Sequence, residues 1–447
     1  MDGIKKMKLV LNRFMIIETG LSFFLLSFCF ADGQVDEDAM FSDTQTVVDN
    51  AKILSVFPAS EEGKISFGIS GDINGGTDFT LMREEDDNEL ELFLLGNVFL
   101  DGRLSNGYKA FGNVESRYFS RNGEWNIAAR ELFFDLHYEN KIYFRIGKQV
   151  LQWGRCYLWN PTDLINAEKL TFEKRIGYRD GVYGLRIHQP FGTEWNWYAF
   201  IHTGKRVESD EIAGAFKLET LIGNTEFSVS VWDKKHAQTV YGADFSTRIC
   251  KIDVSGEIST SHGWNADMME EKNGILFIEK KDDGWFTRAS LNLGKQFDFN
   301  DQNDKISVAG EYFYNQAGYG ENIFRDKKMY LYQTPVMVES MPISVYSGDK
   351  KTFFLLNHLF EMNYYSRHYG ALFISVKEFF TSSHTLNLNC LSNLDDGSAM
   401  ISLGLDYINI NDWNMSLIYY CYAGPSDCEY TFLRPAGMMH LVIGVKF

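Results

Sequence analysis

Apolar and polar residues alternate one by one along much of this chain, and that period of two limits the fold more than any other feature. In "MMHLVIGVKF", residues 438 to 447, Met439, Leu441, Ile443, Val445 and Phe447 fall on one side of an extended strand. Met438, His440, Val442, Gly444 and Lys446 fall on the other, because successive strand side chains point to opposite faces. In "KISFGISGDI", Ile65, Phe67, Ile69 and Ile73 oppose Lys64, Ser66, Ser70 and Asp72. In "EFSVSVW", Phe227, Val229 and Val231 oppose Ser228 and Ser230; "ISVAGEYFY" and "MISLGLDY" repeat the pattern from Ile306 and Met400. An apolar face against a small or polar one suits a strand with lipid on one side and water on the other, although a β-sandwich strand also has it. The 36 Phe, 23 Tyr and 38 Gly against only 7 Pro favour strands and tight turns over helices.

The N-terminus supplies the compartment. Lys5, Lys6, Lys8 and Arg13 precede "TGLSFFLLSFCFA", residues 19 to 31, a charge-free run that ends in Cys29-Phe30-Ala31. A basic start, a short apolar core and a small-x-small end read as a secretory signal over residues 1–31. The run is too short for a spanning helix, and Glu18 cuts it off. Beyond it no apolar stretch approaches the roughly 18 residues that a spanning helix needs. The formal charge of -17 argues against a nucleic-acid partner, which would require basic groups to displace phosphate counterions. The mature chain is therefore expected to be an exported β protein: either soluble, or an outer-membrane barrel.

The connections favour the barrel. Alternation marks about eighteen strands (16–20), at 64–77, 89–102, 107–120, 125–138, 141–152, 180–190, 195–203, 212–222, 225–233, 239–249, 251–261, 284–298, 305–316, 369–380, 385–393, 399–409, 413–423 and 437–447. Even-to-odd joins are short, as in "YENK", "FGTE", "GN", "TSSH" and "IND", while the long joins at 153–179, 262–283, 317–368 and 424–436 are all odd-to-even. Short turns on one side and long loops on the other, with an even strand count, describe a barrel whose termini are both periplasmic. "FFLLNHLFEMNYY", residues 353 to 365, would break this parity as a strand, and its helical spacing predicts a short helix inside the 317–368 loop. The expected organisation is signal 1–31, acidic periplasmic leader 32–63, and a closed antiparallel transmembrane β-barrel over 64–447. The last strand then closes on the first, leaving no backbone edge in hydrocarbon.

"RIGKQVLQWGRCYLWNPTDLINAEKLTFEKR", residues 145 to 175, has a different texture. Trp153-Gly154 suggests a sharp bend with an aromatic anchor, and Asn160-Pro161-Thr162-Asp163 a turn or helix start. As the third outer-side loop it gathers Arg155, Trp159, Lys169, Lys174, Arg175 and Arg179 with Asp163, Glu168, Glu173 and Asp180. Such a loop braces the wall, folds inward as a constriction where facing charges set selectivity, or forms a dedicated binding site. Alternation also assigns Glu115, Arg117, Glu131, Asp135, Arg145, Arg186 and Arg288 to the lumen, mostly as structural pairs between neighbouring strands.

The segment "GKQxxxWGxxxxxNPTDxxN", met here as Gly147 to Asn166, resembles that of a porin-like, largely uncharacterised outer-membrane family. "GEYFYNQAGYG" at 310–320, "RHYGALFIS" at 367–375 and "LSNLDDGS" at 391–398 are similar to it as well. The resemblance implies a barrel and a transport role, with no particular solute; in general porins the third loop folds inward. The terminal Phe447 resembles the signature by which the barrel-assembly machinery recognises its clients.

In an oxidising compartment Cys421 and Cys428 could pair across "YAGPSD", or remain two free thiols. "EEDD" at 84–87 and "LDDGS" could draw divalent cations or be plain solvated loops. No zinc spacing, nucleophile elbow or phosphate loop is evident, so no metal, cofactor or catalysis is expected. The expected function is a porin-like channel for passive passage of small solutes, held in outer-membrane lipid, with homo-oligomers common among such proteins. The alternatives are a barrel handling hydrophobic cargo or partnering an exporter, and a surface adhesin or structural barrel.

Overall fold

The computed structural model describes residues 65–447 except 83–87, 105, 152, 164, 166–180, 205–211, 300–301, 339–340, 409–411 and 433–434. The signal and leader expected over 1–63 lie outside the described residues, as do the "EEDD" loop and Lys169, Lys174, Arg175 and Arg179.

The strands of the first half are β1 (Ser66–Leu81), β2 (Glu89–Arg103), β3 (Lys109–Phe119), β4 (Glu124–Tyr138), β5 (Ile142–Gln149), β6 (Val182–Phe191), β7 (Trp195–His202), β8 (Ala213–Ile222), β9 (Thr225–Lys234), β10 (Val240–Ile249) and β11 (Ile252–His262). There follow β12 (Asp267–Lys272), β13 (Ile275–Lys280), β14 (Trp285–Phe299), β15 (Gln302–Asn315), β16 (Tyr330–Val338) and β17 (Met341–Gly348). The chain ends with β18 (His368–Lys377), β19 (His384–Asn393), β20 (Ser398–Ile408), β21 (Trp413–Ala423) and β22 (Gly437–Lys446). Eighteen of these form one sheet, and β12, β13, β16 and β17 form a second sheet of four. Each barrel strand pairs antiparallel with the next, and β1 pairs with both β2 and β22, so the sheet is closed. Every one of the eighteen expected spans is present.

Closure is set by the terminal alternation. Asp72 pairs with Lys446 and Leu81 with Gly437, and the Phe447 N–H and C=O both bond the backbone of Gly71 at 2.9 and 2.8 Å. Gly71 is needed there, since a Cβ would lie 2.6 Å from the Phe447 ring. Phe67, Ile69, Ile73, Leu90, Leu92, Ile127, Leu441 and Ile443 share the outer face with Phe447, and most of them are exposed. In water such a belt would be costly; against acyl chains it is the stabilising surface. Among the described residues no helix is long and apolar enough to cross a membrane, which says nothing of crossing by strands.

The short turns rely on left-handed backbone. Glu139 and Asn140 both have positive φ, closing β4 to β5 with a Lys141 N–H to Tyr138 C=O bond of 2.9 Å. Cys250 and Lys251 do the same between β10 and β11. Two central residues with φ above zero twist a two-residue hairpin in the sense of its strands.

The long loops are more ordered than their sequence suggests. Residues 263–284 contain the hairpin β12–β13, turned by Asn273-Gly274, and 316–367 contain β16–β17 and helix α1 (Lys350–Leu356). The helix starts before the predicted 353–365 stretch because Asp349 caps it, accepting from the Thr352 N–H at 2.7 Å, and it stops at Asn357. Phe353 and Phe354 of α1 pack with Leu276, Phe324, Tyr332, Tyr365 and Phe432 into an outer cap. Phe324 and Phe432 stack at 3.9 Å between centroids.

Of the two readings of Cys421 and Cys428, a link or two free thiols, the second holds. Cys421 lies on the lipid side of β21, whereas Cys428 is buried in the cap, its Sγ 3.2 Å from Asn322 Nδ2. In the acidic "LDDGS" turn Asp395 is half-buried and Asp396 buried, and both carboxylates are taken up by the fold. Asp395 accepts from the Arg367 and His368 N–H groups, and Asp396 from Ser398, Tyr365 and the Glu429 N–H.

Candidate functional site

Beyond β5 the chain enters the lumen and follows the inner wall. Trp153 packs with Leu151, Ile165 and Phe200, and its C=O accepts from Lys217 Nζ of β8 at 2.7 Å. At Gly154 a Cβ would lie 2.6 Å from a Glu257 oxygen and 2.5 Å from Asn160 Oδ1, so only glycine lets the chain come this close to β11.

Arg155 then reaches three strands at once. Its Nε meets Asp244 of β10 at 2.6 Å, and its two Nη atoms bond Glu219 of β8 and Glu226 of β9. Its backbone N–H and that of Cys156 donate to Glu257 Oε1 at 2.5 and 2.6 Å. The Thr162 N–H and hydroxyl donate to Glu257 Oε2 at 3.1 and 2.7 Å. Further round the wall, the N–H groups of Tyr157, Leu158 and Trp159 donate to Glu311 of β15 at 3.0, 2.9 and 2.6 Å. Two acidic side chains thus satisfy backbone donors that have no strand partner.

Trp159 closes this run. Fully buried, it stacks on Phe313 at 5.4 Å and donates from Nε1 to Asn363 C=O at 3.1 Å, while its own C=O accepts from Ser290. Leu158 and Trp159 join Phe313, Tyr369, Tyr420 and Tyr430 in an apolar cluster on one side of the lumen. Asn160-Pro161-Thr162-Asp163 is a turn closed by Asp163 N–H to Asn160 C=O at 3.0 Å. The described part of this loop therefore contains Trp153, Arg155, Trp159, Asn160 and Asp163. Arg155 does not stand in a free row of charge, because wall carboxylates hold it.

The register places Glu115, Arg117, Glu131, Asp135, Arg145, Arg186 and Arg288 all on the inner face. Arg117 pairs with Glu115 on its own strand, and Arg145 with Asp135 across β4 and β5 at 2.6 and 3.0 Å. Arg145 also lies 3.9 Å over the Phe133 ring. Glu131 accepts from the Val150 N–H, holding the root of the loop. Arg186 sits directly opposite Arg145. Arg288 departs from the expectation of strand-to-strand pairs: it has no ion pair among the described residues and touches two aromatic rings. On the other side of the seam, Asp78 and His440, cross-strand partners on β1 and β22, bond through Nδ1.

Sequence reasoning missed the posts that hold the loop: Glu219, Glu226, Asp244, Glu257 and Glu311. A signal was present. "GADF", "GEIS" and "GEYF" each put one acid, after a small residue, on the inner face of β10, β11 and β15.

A second polar cluster lies in the cap. Glu429, fully buried, accepts from the Asn363 N–H at 2.6 Å and from Asn393 Nδ2 at 2.8 Å. Burial pushes its carboxyl up to about 8 against the pull of the Asn363 N–H, and neighbouring Asp396 adds to the rise. Among the described residues no cluster of His, Cys, Asp and Glu could hold a metal ion.

No protein-family model and no curated protein matches the chain. Solved structures do. OccAB1 of Acinetobacter baumannii superposes with a TM-score of 0.52 at 10% identity, over 87% of this chain and 99% of that one. The outer membrane protein OprD from Pseudomonas aeruginosa superposes with a TM-score of 0.48 at 8% identity, over 85% and 93%. At such identities the likeness is one of fold, and this chain shares the barrel fold of OccAB1.

Proposed function

We propose that this chain is a porin-like channel of the outer membrane, passing small solutes down their gradient without chemistry. The observation that carries the reading is the division of the lumen. One side is filled by the loop and its aromatic cluster, and the inner face of β1–β6 and β22 carries charged and polar side chains such as Asp72, Asn97, Lys109, Glu115, Arg117 and Arg145. A barrel of about this strand number is too wide for side chains alone to fill. A charged inner face gives a hydrated solute replacement contacts. The loop over 153–179, which includes Lys169, Arg175 and Arg179, is the proposed constriction. The resemblance to the porin-like family of the "GKQxxxWG" segment points the same way. Phe447 is the proposed handle for the barrel-assembly machinery, and homo-oligomers are proposed by analogy with general porins. A hydrophobic-cargo role is disfavoured, because Trp159, Phe313, Tyr369 and Tyr420 are buried against one another and do not line a path. An adhesin role has one observation in its favour, the exposed Met329, Leu331 and Tyr346 on the outer sheet. Single-channel recording in a planar bilayer tests the reading: stable open steps support a channel, and silence from verified folded protein refutes it.

A further inference from the structure

Four rings stand in one register row on the inner face of β4 to β7. His137 of β4 pairs with Tyr143 of β5, Tyr143 with His188 of β6, and His188 with Tyr198 of β7. They share the inward parity of Asp135, Arg145 and Arg186, which lie two positions along on the same strands. Neighbouring ring centres are 6.3, 6.0 and 4.4 Å apart. Trp153 of the inner loop continues the run, 6.4 Å beyond Tyr198. The row also climbs. His137 lies beside the short-turn end of β4, whereas Lys217, next in register after Tyr198, lies midway along β8 and holds the Trp153 C=O. Strands tilted by about 40° make a row at right angles to them rise by roughly 3 Å per strand. The rings thus form a ramp from the short-turn mouth of the barrel to the root of the loop.

Each ring on the wall has its polar edge tied down. His137 Nε2 donates to Asn106 C=O at 3.0 Å and the Tyr143 hydroxyl to Asn140 C=O at 3.1 Å. His188 Nε2 donates to Asn196 Oδ1 at 3.2 Å and the Tyr198 hydroxyl to Glu219 Oε2 at 3.3 Å. What the rings still offer the lumen is therefore mainly apolar surface, and Tyr143, 39% exposed, offers most of it. Asp135, Arg145 and Arg186 run along one side of the ramp, and Asn196 and Glu219 along the other. Arg145 is paired with Asp135 and Glu219 with Arg155, while Arg186 stands opposite Arg145.

An aromatic face attracts the weakly positive C–H groups of a saturated ring. Flanking ions and an amide supply both donors and acceptors, which suits hydroxyl groups. An apolar solute would strip water from those flanks without replacing it. A cation would meet Arg186 and Lys217 along the row, and an anion would leave the rings unused. We propose that His137, Tyr143, His188 and Tyr198, ending against Trp153, are a track for saccharides. Each sugar ring lies on the aromatic row, and its hydroxyls bond the polar side chains on either flank. The use of the track in passage rests on the channel reading above; binding to it does not.

The test uses the full barrel folded in detergent, with folding verified by heat-modifiable gel mobility. Maltotriose and cellotriose, neutral chains of sugar rings with opposite anomeric links, are titrated by calorimetry. Mannitol, a polyol without a ring, is the control. The expected result is saturable binding of at least one trisaccharide and none of mannitol at the same concentration. Tyr143→Ala should weaken binding about fivefold, the loss of one ring face. Tyr143→Phe keeps the face, loses only the bond to Asn140, and should stay within about twofold of wild type. Tyr138→Ala, next to His137 in sequence but on the lipid side, should change nothing. If Tyr143→Ala does not fold, Tyr143→Leu keeps bulk without the ring and should weaken binding as much. Absence of saturable binding by both trisaccharides, equal binding of mannitol, or unchanged affinity in the ringless variant overturns the proposal. Binding in a barrel that is silent in the planar bilayer would refute the channel and leave the track standing; open steps without trisaccharide binding would do the reverse.

Discussion

Replacing Glu257 by Gln should release the inner loop while leaving the barrel closed. Glu257 Oε1 takes the N–H groups of Arg155 and Cys156, and Oε2 takes the N–H and hydroxyl of Thr162. An amide keeps one acceptor oxygen and turns an NH2 towards the other pair of donors, so two bonds are lost and two donors are set against each other. A hydrogen bond to a charged group contributes roughly 1.5–3 kcal/mol. Water in the lumen would restore part of that loss, leaving a net cost of about 3 kcal/mol for fastening the loop. That corresponds to roughly a hundredfold rise in the population of the released loop. Cys156 reports it directly. The thiol is buried, and burial together with the nearby Glu257 and Glu311 carboxylates pushes its ionisation well up, so it should be nearly inert to maleimide in the wild type. Labelling followed by mass mapping separates it from Cys250, which is exposed and serves as an internal reference. The expected outcome is a Cys156 rate raised by about two orders of magnitude in Glu257→Gln, with Cys250 and heat-modifiable mobility unchanged. A Cys156 rate in the variant within about threefold of wild type, in folded protein, would refute the claim that this carboxylate holds the loop.

Two further outcomes are expected. Glu429 has its folded value raised to about 8 from 4.5, so the cap gains nothing from it at low pH and loses stability as pH rises from 4.5 towards 8, levelling off above; hydrogen exchange of 424–436, corrected for intrinsic rates, should quicken over that window by up to a few kcal/mol equivalent, and Glu429→Gln should flatten the slope. Phe447→Ala removes the ring that covers Gly71 at the seam and should reduce the folded fraction recovered from outer membranes several-fold, with a smaller effect on refolding in detergent; equal recovery would remove Phe447 from both roles.

The sequence carries the wall more clearly than what fills it. Every barrel span was readable because lipid on one side and water on the other impose a period of two over each strand, and parity of the joins fixed which loops lie outside. The same rule placed Arg117, Arg145 and Arg288 inside, yet it could not say which of them has a partner. That depends on side chains brought together from distant strands, as when Arg155 meets Asp244 89 residues away. The hairpin β12–β13 was hidden for a different reason. It forms part of an outer sheet, where no lipid enforces alternation, although its "NG" at 273–274 is a strong hairpin signal. The pairing of Cys421 with Cys428 stayed open in the sequence because proximity along the chain was its only support. Cys421 shares the lipid-facing parity of Tyr419, which already points it away from the cap.

The posts that fasten the inner loop are made late. Its donors at 155 and 159 wait for acceptors 102 and 152 residues further along the chain, on β11 and β15. Until those strands have joined the sheet, the segment is a slack tether. Tying down the loop therefore couples the end of β5 to strands far along the chain, and it is complete only in a wall that already holds β11 and β15.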